Sequence, residues 1–151
     1  MAKFKYRLKP LLQIRETTRD ERRSELAQAQ RADDILHNRQ TTIEQQRHEL
    51  LESTRDSIRP GQVNLDHLIN CQRYDRMLEG EGQMILEQRQ QVGQEIERRH
   101  AILVEANRDV RILEILREKQ LLRHQKEEQR QETKTLDEVA IQREYRKEAD
   151  E

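Results

Sequence analysis

Arg59-Pro60-Gly61-Gln62-Val63-Asn64-Leu65-Asp66-His67-Leu68 is the stretch whose reading decides the fold. Pro60 is one of only two prolines in 151 residues, and it stands beside one of four glycines, between two long segments. A proline fixes its own φ and pushes the residue before it, here Arg59, out of helical backbone. Gly61 supplies the permissive backbone that a tight reversal needs. Asn64 is a good cap for a helix that begins at Leu65. A connection this short favours antiparallel neighbours. The expected fold is all-α: one long two-helix antiparallel coiled-coil hairpin.

Working back from the turn, residues 11–58 contain neither Pro nor Gly. Pro10 belongs in a first helical turn, where its missing amide hydrogen is harmless. The first helix is therefore predicted over residues 8–58. Leu8, Ala29, Leu36, Ile43 and Leu50 fall in one seven-residue register, and Leu11 and Ala32 supply a second line. The seam is poor at Arg15, Thr18, Arg22 and Glu25, where arginine stems can cover apolar surface while their heads reach water. Glu44 and Arg47 stand three apart, as a pair along one helix face does.

Forward from the turn, the second helix is predicted over residues 65–147, so that residues 1–151 form a single hairpin with its turn at 59–64. Leu78, Ile85, Val92, Ile96, Leu103, Ala106, Val110 and Leu113 step by sevens, threes and fours, the left-handed coiled-coil pattern. Gly80 and Gly82 mark an expected bend or weak point. At about 1.5 Å per residue the helices extend roughly 75 and 125 Å. Leu8 then lies opposite Ile115 or Leu116. Residues 123–135 carry no apolar side chain and cannot pack a seam. Apolar residues return at Leu136, Val139, Ala140 and Ile141 as a small docking face.

Composition limits what such a chain can do. Charged residues make up 39% and apolar ones 32%, too little apolar material for a three-dimensional core but enough for a narrow seam. The 29 basic and 30 acidic residues are interleaved, unlike the basic stripe of a nucleic-acid binder. Cys71 is the single cysteine, which excludes an intrachain disulfide and favours a reducing compartment. The N-terminal stretch has no apolar run of signal-sequence length, and no window approaches a membrane span. The chain is expected to be cytoplasmic, to touch a membrane only through partners, and to be monomeric in isolation.

Catalytic signatures are missing from the sequence: no glycine-rich phosphate loop, no nucleophile elbow, no His-Glu-x-x-His pair. No enzyme activity and no cofactor are expected. His67 and Cys71 have the spacing of two ligands on one helix face, and Asp75 extends the row. Tetrahedral zinc wants a further ligand, and the facing helix end offers no obvious one. The row reads as polar surface beside the turn, with no metal.

The two ends are more specific. The segment KFKYRLKPLLQIRE, with Phe4, Leu8, Leu11, Leu12, Arg15 and Glu16, resembles the start of the flagellar FliJ family. The segment LDEVAIQREYRKE, with Leu136, Asp137, Glu138, Ala140 and Arg143, is similar to that family's C-terminal part. The resemblance implies a hairpin like the central stalk of rotary ATPases, serving flagellum biogenesis and motility through type III protein export. It implies a non-catalytic stalk and adaptor that binds the hexameric export ATPase, promotes its assembly and activity, and links it to the export gate and to substrate chaperones. That work is done at the inner face of the cell membrane, at the flagellar base. It places the ATPase-docking end at Phe4, Leu8, Leu11, Leu12 and Arg15 with Leu136, Val139, Ala140 and Arg143. It places contacts with the cytoplasmic domain of the gate protein near the turn, at Leu68 and Gln72 with Leu50 and Leu51 opposite. The family usually offers aromatic residues there, whereas this chain has aliphatic ones and Tyr74. Two other readings fit the same heptads: the equivalent component of a virulence-type secretion system, and a homodimeric scaffolding coiled coil.

Overall fold

The computed structural model describes residues 4–58, 61 and 63–149. Two helices account for nearly all of them: α1, Lys9–Ser57, and α2, Leu65–Ala149. They pack against each other as an all-α helical hairpin, with no strand among the described residues. Asn64 caps α2 as its side chain predicts: its Oδ1 accepts from the His67 amide at 3.2 Å. Gly61 has φ 111°, the left-handed backbone that glycine adopts without strain. Arg59, Pro60 and Gln62, on which the sequence argument for the turn also rests, lie outside the described residues.

The chain divides into two compact units, each with a piece of both helices. One is Asp20–Val104; the other is Met1–Arg19 with Glu105–Glu151. In the first, Ile43, Leu78 and Ile85 form the core, with Leu36 packed against it. Leu78 is 1% exposed and Ile43 2%. Fully burying such a side chain contributes roughly 1.5–3 kcal/mol, so a few of them dominate any surface ion pair. Leu26, Ala29 and Cys71 are buried in the same unit.

Burial corrects two expectations. The second line of α1 runs through Leu12 and Leu26, both buried, while Leu11 is exposed. Steps of three and four alternate along a seam, so Ala29 is as well served by a neighbour three before it as by one three after. Cys71 is no surface residue: it stands seven before Leu78 and is 8% exposed, the first member of the α2 apolar line. At Gly80 and Gly82, the expected bend or weak point, α2 is helical. A Cβ at Gly82 would meet Ile43 Cγ2 at 3.9 Å, an ordinary contact, and one at Gly80 would meet nothing within 4 Å.

Beside the apolar line runs a polar one. Arg89 donates through Nε and Nη2 to the Asp33 carboxylate at 2.9 and 3.3 Å, and through Nη1 to Gln40 Oε1 at 3.0 Å. Arg47 grips Asp75 in the same two-point way. Arg47 thus takes a partner on the other helix, and Glu44 instead accepts from Gln40 on its own. Arg39 pairs with Glu81, and Arg99 Nη1 donates to the Glu25 carbonyl at 2.6 Å. Partners on α1 and α2 advance in opposite directions, as an antiparallel pair requires.

In the other unit, Leu12 and Val110 are the buried apolar residues. Tyr6 donates its hydroxyl to the Leu113 carbonyl at 2.9 Å, and Arg15 pairs with Asp109 at 3.0 Å. The expected level of Leu8 near residue 115 agrees with these neighbours.

Candidate interaction surfaces

Within the unit Asp20–Val104, the ends of the two helices next to the turn line an open groove of about 720 Å³. Its lining brings together Leu50, Leu51, Leu68 and Gln72, the four residues the sequence assigned to the turn end. Leu50 and Leu68 are half-buried in its wall, while Leu51 and Gln72 are exposed. Ile58, Leu65 and Ile69 add apolar rim, each about half exposed or more. Thr54 and His48 complete the α1 side. Thr54 was missed by the sequence reading; its position, seven beyond Arg47 on the polar line, is the signal that finds it.

Arg47 and Asp75 close the groove on the side of the core. The Arg47 hydrogen bond outweighs the cost of desolvation and, helped by the Arg47 charge, holds the Asp75 carboxyl below the usual aspartate range; the same hydrogen bond raises Arg47. Both groups stay ionised near neutral pH, so this part of the lining keeps fixed opposite charges. The His67, Cys71 and Asp75 row is only partly brought together. Cys71 Sγ is 3.5 Å from His67 Nε2, but Asp75 is taken by Arg47, and no group of three or more potential ligands exists among the described residues.

The other sequence-assigned set is not brought to one place. Phe4 is half-buried with its ring 5.7 Å from that of His124. Leu8 is half-buried, Leu11 exposed, and Arg15 is held by Asp109. Leu12 is buried and serves the packing of α1 on α2. Leu136, Val139, Ala140 and Arg143 are all exposed. Leu136 stands twelve residues beyond His124, about 18 Å of helix. Leu136, Val139, Ala140 and Arg143 share one helix face by their spacing of three, four and seven. Leu136 is 70% exposed, and Ile141 and Tyr145 are exposed nearby. Residues 123–135 between the two groups are helical, although they carry no seam.

No helix among the described residues is long and apolar enough to cross a membrane. In comparison with known proteins, the family model described as Flagellar FliJ protein matches residues 4–149. Neither curated proteins nor solved structures gave a match.

Proposed function

The chain belongs to the flagellar FliJ family, a non-catalytic component of flagellar protein export, and from that premise we propose that it is the stalk and adaptor of the export ATPase. In this reading it docks on the ATPase hexamer, promotes assembly and activity of the ring, and links it to the cytoplasmic domain of the export gate and to substrate chaperones. It works at the inner face of the membrane at the flagellar base, and reaches the membrane only through those partners.

One observation carries the reading: the exposed apolar face at Leu136, Val139 and Ala140. Among the described residues, the hydrogen bonds, ion pairs and ring contacts that tie α1 and the residues before it to α2 reach no further along α2 than His124. An apolar face on a helix of otherwise polar sequence favours a protein partner over water. The half-buried residues Phe4 and Leu8 belong to the same unit and supply a second, less accessible contribution. The test is a pull-down of the export ATPase by the full chain and by a chain ending at residue 135. Retention of the ATPase by the full chain alone supports the assignment; equal retention by both rejects it.

The groove beside the turn is the candidate gate surface. Its apolar rim and its fixed Arg47–Asp75 pair suit a partner that offers both apolar and polar groups.

A further inference from the structure

The apolar line alone does not fix how far α1 slides along α2. Ala29, Leu36, Ile43 and Leu50 repeat every seven residues, and so do Cys71, Leu78, Ile85 and Val92. A slip of one heptad again sets apolar side chains against apolar side chains. The polar line does not tolerate that slip. A slip in one direction puts Asp33 level with Ile96 and Arg47 level with Gly82. In the other direction Asp33 meets Gly82, and Arg47 meets Leu68. Either way both charges lose the partners that now hold them, with the Asp33 and Arg89 side chains only 28% and 30% exposed.

The same residues oppose pairing of two copies. Parallel, in-register association of α1 with α1 sets Asp33 against Asp33 and Arg47 against Arg47. For α2 it sets Asp75 against Asp75 and Arg89 against Arg89. Like charges facing each other in a half-buried seam are unfavourable. A polar residue at a seam position is a known means of choosing register and partner at some cost in stability.

We infer that Asp33, Arg47, Asp75 and Arg89 are the specificity-determining residues of this hairpin: they admit α1 only against α2, antiparallel, in one register. Apolar burial supplies the attraction between the helices, and the charges select among its otherwise similar arrangements.

The test uses the full chain in a Cys71→Ala background, spin-labelled at the exposed positions Thr41 and Gln94. These sites are offset along the helices, so a slip of one heptad, about 10 Å of rise, changes their separation. The parent chain gives one intramolecular distance. Replacing Asp33, Arg47, Asp75 and Arg89 together by Leu gives several distances, or a signal that fades on dilution with unlabelled chain, without lowering the melting temperature. One unchanged distance in the four-fold variant overturns the proposal. Should that variant aggregate, Arg89→Asp alone and with Asp33→Arg decides. The single change broadens the distance distribution, and the exchanged pair narrows it again. Failure of the exchanged pair to restore the parent distribution overturns the proposal equally.

Discussion

Arg47 and Asp75 meet across the two helices through two hydrogen bonds, Nε to Oδ1 at 2.7 Å and Nη2 to Oδ2 at 3.2 Å. The pair joins the helices where the packed core gives way to the groove beside the turn. Arg89 holds Asp33 by the same geometry further along α2.

These pairs set an acid limit on stability. The Asp75 carboxyl lies below its ordinary value of 3.8 because Arg47 hydrogen-bonds its charged form, and Asp33 does so because of Arg89. A folded-state pKa below the unfolded one contributes stability above the unfolded value, and that contribution is lost as pH falls through the folded value. Melting temperature followed by circular dichroism is expected to decline as pH drops below 3.8, beyond the decline of an Asp33→Asn, Asp75→Asn variant. Both side chains are partly exposed, so salt should reduce the difference. Identical acid slopes in the two proteins would show that the pairs do not couple to folding.

Glu95 titrates separately, within α2. Hydrogen bonds from Arg98 and then Arg99 bring its pKa from 4.5 down to about 2. By the same sign rule, its contribution is complete above pH 4.5 and fades toward pH 2. The carboxyl carbon shift of Glu95 in a pH series measures this directly. An ordinary midpoint would mean that the Arg98 and Arg99 contacts at 2.7 and 2.6 Å do not persist in solution.

The glycines inside α2 offer a gain. Gly80 has open space where a Cβ would stand, and Gly82 has one ordinary contact, with Ile43. Alanine at either position is expected to stabilise the helix by about 0.5–1 kcal/mol, raising the melting temperature by roughly 1–4 °C. A lower melting temperature for Gly82→Ala would mean that Ile43 cannot accept the added methyl.

The hairpin was legible in the sequence because Pro60, Gly61 and Asn64 interrupt two heptad patterns whose periods survive on either side. The Leu78, Ile85, Val92 line was legible for the same reason. Cys71 carries two spacings at once: four from His67, the mark of ligands, and seven from Leu78, which is the one that places it in the seam. The polar line at Asp33, Gln40 and Arg47 was not legible: charged residues at seam positions read as gaps until the opposite helix supplies Arg89 and Asp75. The groove residues Leu50, Leu51, Leu68 and Gln72 came together because the turn fixes which helix ends are neighbours. The terminal set did not, since α2 continues well beyond the part of the chain that faces Phe4.

That separation has a consequence for ATPase docking. Val139 is exposed, so Val139→Asp should leave helical content and melting temperature near those of the parent while reducing stimulation of the export ATPase. Leu12 is buried against α2, so Leu12→Asp should lower the melting temperature and weaken stimulation only through that loss. ATPase rates at saturating ring concentration, set beside thermal melts, separate the two. Full stimulation by Val139→Asp would move the docking face away from the C-terminal part of α2.

The groove beside the turn calls for a sharper comparison, because its residues have two possible duties. Leu68 is half-buried and packs the end of the hairpin, whereas Gln72 is exposed. Leu68→Ala is therefore expected to cost about 1–2 kcal/mol, below the range for a fully buried leucine. Gln72→Ala should cost nothing measurable in stability, since a surface change away from a structural feature usually falls within about 0.5 kcal/mol. If the groove receives the export gate, both variants bind the purified cytoplasmic domain of the gate more weakly while ATPase stimulation is retained. If the groove residues only close the hairpin, Gln72→Ala binds like the parent, and Leu68→Ala loses affinity only when measured close to its melting temperature. Titration of the gate domain at 10 °C and again just below the melting temperature of Leu68→Ala distinguishes these cases. Parent-like affinity of both variants at 10 °C would reject the groove as the gate surface.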